Sequence, residues 1–310
     1  MTERSETNIF PPKPVLVETQ RNNVTRSLFS LFIYALLFYF LFDRNIVYIA
    51  ALLLVLLIHE FGHFFAMKFY DYQNVKLFIV PLLGAFVSGK KQSVSQKQMT
   101  VIILAGPLPG IIIGTVLYIL NKANPNESIK LLANVFVFIN IFNLLPVYPL
   151  DGGRLLENLF IKSNHGIRIV FTVLSILFLV TVITLSGNII MVVIPAIMVF
   201  ELINEVKNQK IRDYLDGEKL QYHVEYKDLP DKNYWLIRDC LLFSFQKKFA
   251  GVPPGQYQYS VIEPVIMQQV MKILRPEFSS DLNVLQKILI LLLYMFFLIG
   301  IPITLFIMYY

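Results

Sequence analysis

Seven stretches of this chain carry almost no charge: 27–42, 46–67, 99–120, 131–150, 169–186, 189–200 and 288–310. A straight helix needs about 20 apolar residues to cross a bilayer, so the shorter runs must borrow flanking residues or sit where the bilayer thins. The pattern predicts an all-α polytopic membrane protein of about seven transmembrane helices. Residues 76–91 break it. They are rich in β-formers, are interrupted by Pro81 and Gly84, and are too short to span, which fits a membrane-associated β-hairpin. Residues 203–285, before the last helix, are polar and hold the only tryptophan, Trp235, as expected of a small cytosolic domain or linker. The expected organisation is a cytosolic N-terminal tail (1–26), a transmembrane core (27–202), the cytosolic segment (203–285) and a C-terminal transmembrane helix (286–310).

Composition agrees with a membrane reading. The 310 residues are 56% hydrophobic and only 15% charged, where a soluble domain has roughly a quarter charged. A mean hydropathy of +0.61 with 26 Phe and 16 Tyr excludes intrinsic disorder. The single cysteine, Cys240, excludes a disulfide framework and any Cys-rich metal site, so a metal here must use His and carboxylates.

Charge position says more than the net +6. Residues 201–287 contain 12 basic and 12 acidic side chains, so every excess positive lies earlier, scattered among short loops. No concentrated basic stripe invites nucleic acid. The loops at 1–26, 68–98 and 151–168 are the richest in Lys and Arg, which by the positive-inside rule makes them and the N-terminus cytoplasmic. The tail has no apolar segment of signal-peptide type. The expected location is a multi-pass protein of the plasma membrane.

Inside one apolar run stands His59-Glu60-Phe61-Gly62-His63, an H-E-x-x-H. On a helix the histidines lie four apart on one face, suited to two imidazole ligands of one Zn²⁺, with Glu60 beside them as general base on a water. Ionisable residues at membrane depth are costly and mark functional sites. A catalytic zinc takes a third protein ligand, and the candidates are Cys240, His223, His165 and Asp151. Depth favours Asp151 without settling it. His59 follows 13 residues of its run, about 20 Å, and Asn143 lies about 18 Å into the fourth run. After it Pro146 and Pro149 break the helix, and such a bend can aim Asp151 back toward the histidines.

These residues carry a resemblance. H-E-F-G-H in one apolar run and N-L-L-P-V-Y-P-L-D-G-G-R in a later one match in full HExxH and NxxPxxxLDG, the paired signatures of the site-2 protease family of intramembrane zinc metalloproteases. The resemblance covers roughly residues 46–155. It implies one Zn²⁺ held by His59, His63 and Asp151, with Glu60 as catalytic acid/base and Asn143 holding the substrate backbone or stabilising the oxyanion. It also implies that 76–91 receives an unwound substrate as an added strand. Ala105-Gly106-Pro107-Leu108 resembles the family's third-helix motif, but Gly110 stands where that motif often has Asn. The function expected is a zinc-dependent intramembrane endopeptidase in a lipid bilayer, acting on a single-pass or membrane-anchored protein. The alternatives are a divalent-metal transporter and a scaffold that binds membrane proteins without cutting them. Three features carry weaker readings: Glu157 as a solvated carboxylate, Arg154 as a snorkelling anchor, and Gly152-Gly153 as a turn.

Overall fold

The computed structural model describes residues 10–15, 46–80, 84–161, 165–186 and 192–309. It divides into two compact units. One joins residues 10–15 to 199–277, and the other holds the remaining described residues.

The larger unit is helical apart from two short sheets. Helix α1 (Ile46–Phe69) buries one stripe, Leu52, Val55, His59, His63 and Met67, while Leu54, Phe61, Phe65 and Phe69 are exposed. Both faces being apolar is what a lipid environment asks of a helix. The two histidines therefore occupy positions that would otherwise be filled by packing leucines.

A hairpin follows, with β1 (Gln73–Val80) antiparallel to β2 (Gly84–Lys90) and Leu77 opposite Val87. The run expected at 99–120 becomes two helices, α2 (Gln96–Ala105) and α3 (Pro107–Ala123). Pro107 lacks the N–H that would continue the ladder, so α2 ends at its doorstep. The Ser95 hydroxyl caps α2 by accepting from the Gln98 N–H. Helix α4 (Glu127–Asn143) starts at Asn126, whose side chain accepts from the Ser128 and Ile129 N–H groups. Gly106, Gly110 and Gly114 recur every four residues along α3 and its entry. A Cβ at these three would overlap the His63 ring, the Asn140 amide and the Phe136–Val137 stretch respectively. The small residues are what bring α1, α3 and α4 together.

After Asn143 the chain leaves the helix and turns through 144–150, whose Tyr148–Pro149 peptide is cis. It re-enters as α5 (Asp151–Leu156), which passes into a π-helical turn, Glu157–Ile161. Gly152 and Gly153 are the first turn of this helix rather than a free turn. The backbone of Leu144–Tyr148 lies where their Cβ atoms would be. Helix α6 (His165–Ser186) anchors the loop through the Ser175 hydroxyl, which accepts from the Tyr148 N–H at 3.0 Å. The last apolar stretch, α10 (Val284–Met295), does so through the Tyr294 hydroxyl, which donates to the Leu144 carbonyl at 2.7 Å.

Of the seven expected spans, four correspond to helices long and apolar enough to cross a membrane, at 46–69, 96–123, 165–185 and 284–308. The run at 131–150 yields only the 17-residue α4 before Asn143. The run at 189–200 opens helix α7 (Val193–Gly217), whose later turns are polar. The run at 27–42 lies outside the described residues. A hydropathy pattern counts uncharged residues without knowing where prolines divide a helix or where a helix outlasts its apolar part.

The smaller unit has a core of its own. Trp235, Tyr234 and Leu241 on α8 (Asp231–Ser244) pack with Val270 and Ile266 on α9 (Glu263–Ile273) and with Leu215 of α7. Arg212 of α7 donates to the Lys272 and Ile273 carbonyls at 2.9 and 3.1 Å, satisfying the end of α9.

Candidate metal centre

His59, His63 and Asp151 are all buried, and one ligand atom of each lies within 4.8 Å of the others. The distances are shorter still. His59 Nε2 is 3.0 Å and His63 Nε2 3.2 Å from Asp151 Oδ2, and the two Nε2 atoms are 3.2 Å apart.

The outer nitrogens decide what these contacts are. His63 Nδ1 lies 2.8 Å from the Ile102 carbonyl, which can only accept, so the proton is on Nδ1. His59 Nδ1 lies 2.8 Å from Asn140 Oδ1, and the Asn140 amide is oriented by its own Nδ2, which donates to the Phe136 carbonyl at 2.8 Å. With Nδ1 engaged from behind, each imidazole in its metal-binding form turns the Nε2 lone pair inward, toward the carboxylate oxygen. Three acceptors with no hydrogen between them repel one another. A single proton relieves only part of that; a divalent cation relieves all of it. Tetrahedral zinc ligands about 2.0–2.2 Å from the metal stand roughly 3.3–3.6 Å apart, slightly wider than the separations here. The donor set and its spacing thus fit Zn²⁺, with both imidazoles held from behind as metal-bound histidines usually are.

Glu60, one residue along α1, is buried, and its Oε2 has no hydrogen-bond partner among the described residues. It lines a cavity of about 350 Å³ together with the three clustered side chains, Asn143 and Arg154. Strand β2 supplies Val87, Ser88 and Gly89 to the same wall. Asn143 Nδ2 donates one hydrogen to the Ile139 carbonyl at 3.1 Å, leaving its second available to a group in the cavity. All five sequence-predicted site residues border this one space.

The other candidates for a third ligand lie elsewhere. His165 opens α6, while His223, stacked on Tyr222, and half-buried Cys240 belong to the smaller unit. Glu157 pairs with Arg168 at 2.8 Å instead of standing in solvent. Arg154 approaches Asp151 Oδ1 at 3.7 Å, so it is more than an anchor at a helix end. Sequence reading missed Asn140. Its signal was a second amide one helical turn before Asn143 in an otherwise apolar helix. Its place in the fold also accounts for Gly110, since the Asn140 amide fills the space that a larger side chain at 110 would need.

Residues 47–125 match the model of Peptidase family M50. The chain is 25% identical over 231 residues to Zinc metalloprotease MJ0392 of Methanocaldococcus jannaschii, covering 68% of this chain and 65% of that protein. These likenesses support the resemblance to the site-2 protease family that the two motifs carry. Another of its relatives is Stage IV sporulation protein FB of Bacillus subtilis, 33% identical over 116 residues, or 36% of this chain and 40% of the relative. The chain thus spans between two fifths and two thirds of the curated relatives it matches. A solved Site-2 Protease from Methanocaldococcus jannaschii aligns with 57% of this chain and 86% of its own, at 23% identity and a TM-score of 0.42. The likenesses imply Zn²⁺ as the cofactor, and four helices among the described residues are long and apolar enough to cross a membrane, as fits a membrane protein.

Proposed function

We propose that this chain is a zinc-dependent intramembrane endopeptidase that cuts membrane-anchored proteins near the cytoplasmic face. The observation that carries the reading is the convergence of three lone pairs beside a buried, unpartnered glutamate, all on one cavity of a helical membrane protein. Zn²⁺ bound by His59, His63 and Asp151 would lower the pKa of water and polarise the scissile carbonyl. Glu60 Oε2, which hydrogen-bonds to nothing else described, takes the proton of the attacking water and returns it to the leaving amine. Asn143 Nδ2 donates its second hydrogen to the developing oxyanion. A membrane helix has every backbone group already paired, so the substrate must be unwound first. Strand β2 borders the cavity, and among the described strands it pairs only with β1. Its other edge can supply replacement hydrogen bonds by strand addition.

A transporter would need further ligands along a path, and His59, His63 and Asp151 form the one group of this kind among the described residues. The deciding experiment is a trap. Membrane proteins co-purifying with the Glu60→Gln chain should include an intact protein that wild type holds only as fragments. An identical, uncut set bound to both would favour the non-cleaving scaffold.

A further inference from the structure

The smaller unit carries an aromatic platform. Trp235 stacks on Tyr259, with ring centroids 5.8 Å apart, and the Tyr257 ring meets Trp235 edge-on at 6.0 Å. Beneath it Arg238 lies 4.9 Å from the Trp235 ring and pairs with Glu263, so the platform is held rigidly. Residues 10–15, Phe-Pro-Pro-Lys-Pro-Val, lie across it. The Trp235 indole N–H donates to the Pro11 carbonyl at 2.6 Å, the Tyr259 hydroxyl to the Pro12 carbonyl, and the Tyr226 hydroxyl to the Pro14 carbonyl at 2.8 Å. Phe10 packs 4.6 Å from the Tyr257 ring. The Lys13 N–H donates to Asp231 Oδ1 at 2.9 Å, its ammonium donates to the Lys227 and Leu229 carbonyls, and Nζ sits 5.5 Å above the Tyr226 ring.

The chemistry of the two partners matches. Proline has no N–H, so a proline-rich strand cannot join a sheet as a full partner and instead offers carbonyls and ring faces. The platform answers with aromatic faces, and Trp235, Tyr259 and the neighbouring Tyr226 supply the three donors. Pro11, Pro12 and Pro14 have fixed φ, and Phe10, Pro11 and Lys13 each precede a proline, which drives them to extended conformations. The segment is thus ordered before it docks, and little conformational freedom is lost on binding.

We propose that this platform is a polyproline-recognition groove. Its ligand class is an extended segment with the spacing Pro-x-x-Pro and a lysine before the last proline, and residues 10–15 of the same chain are its resident ligand, held reversibly. A free segment of the same chemistry competes for the groove.

The test uses the full chain in detergent and a labelled synthetic peptide of residues 8–17. Trp235 is the only tryptophan, so its emission reads the groove directly. Lys13→Glu places a carboxylate against two carbonyls and Asp231 and should release the resident segment, making Trp235 more open to acrylamide quenching. The peptide should then bind the variant at least tenfold more tightly than wild type, whose groove is filled at the high effective concentration of a tether, and binding should restore the protection of Trp235. Phe10→Ala, which removes the Tyr257 ring contact and the packing of Phe10 on the core but none of the hydrogen bonds to residues 11–14, should give the same changes in smaller degree. Equal peptide affinity for wild type and variants overturns the proposal, as does unchanged quenching in both. Loss of folding in both overturns it too, because the segment would then be a fixed part of the core. Protection of Trp235 that varies with chain concentration would also overturn it, since the resident segment would then come from a second copy.

Discussion

Glu60 and Glu263 are both glutamates buried to the same degree, and the two units treat them in opposite ways. Around Glu263 every lone pair is used. Arg238 donates to both oxygens at 2.9 and 3.0 Å, the Tyr234 hydroxyl donates at 2.5 Å, and the Ser260 N–H and hydroxyl donate at 3.1 Å. Around Glu60 one oxygen has no partner among the described residues and faces a cavity shared with two histidines and an aspartate. A buried carboxylate without hydrogen bonds costs stability, whereas one inside a complete network helps to define its fold. The first is what a reacting group looks like before its substrate arrives. The second is what a structural keystone looks like, and burial alone does not distinguish them.

Exchanging each carboxylate for its amide should split the two roles. Glu60→Gln is expected to reduce cleavage of a membrane-anchored substrate by ~10²–10⁴, the usual contribution of a general base. Zinc content by elemental analysis and the melting temperature should stay at wild-type values. Full activity in this variant would sink the mechanism. Glu263→Gln should do the reverse. It leaves Arg238 buried with half its partner, at a cost on the order of 3 kcal/mol, read as an earlier unfolding transition followed by Trp235 emission.

The metal centre can be loosened without touching a ligand. Gly106→Ala places a methyl group in the His63 ring, so the ring must leave its position. Asn140→Ala removes only the acceptor behind His59. Loss of such an outer partner typically weakens metal affinity 10–100-fold, and we expect that range for Asn140→Ala in a chelator competition. Gly106→Ala should lose at least as much, because it moves a ligand itself. Wild-type zinc affinity in both would mean that the three lone pairs are not what holds the ion.

How much of this was legible beforehand follows from the range of each signal. His59, Glu60 and His63 lie within one turn of helix, so their spacing in sequence is their spacing in space. Asp151 is 88 residues from His63; the break marked by Asn143 and the two prolines at matching depth favoured it, and the resemblance of 143–154 to NxxPxxxLDG assigned it. Asn140 was passed over because a lone amide in an apolar helix does not reveal which neighbour it meets. The four-residue period of Gly106, Gly110 and Gly114 was visible as letters, but its meaning depends on the helix laid against it. Four of the seven expected spans are membrane-length helices among the described residues, and the rest were harder to read for a related reason: lipid-facing and core-facing leucines read alike. The three prolines of the tail were seen, and their partners, Trp235 and Tyr259, lie more than 220 residues away.

The smallest effect we expect is one of pH, and it sharpens the same contrast at a group that lies in none of the four membrane-length helices. Burial pushes the Glu263 carboxyl up, but the hydrogen bonds from Arg238, Tyr234 and Ser260 outweigh it and leave the group below its ordinary value. In the unfolded chain the carboxyl returns to about 4.3. A group whose pKa is lower when folded adds stability that is complete above the unfolded value and disappears as pH falls through the folded one. The Trp235 unfolding transition should therefore hold steady from pH 7 to about 5 and move to lower temperature below that. In Glu263→Gln the transition starts lower, and its decline between pH 5 and 3 should be shallower, because the amide has no proton to take up. Parallel declines in the two chains would mean that other carboxylates set the acid limit of this unit, and that the Glu263 network contributes packing rather than charge.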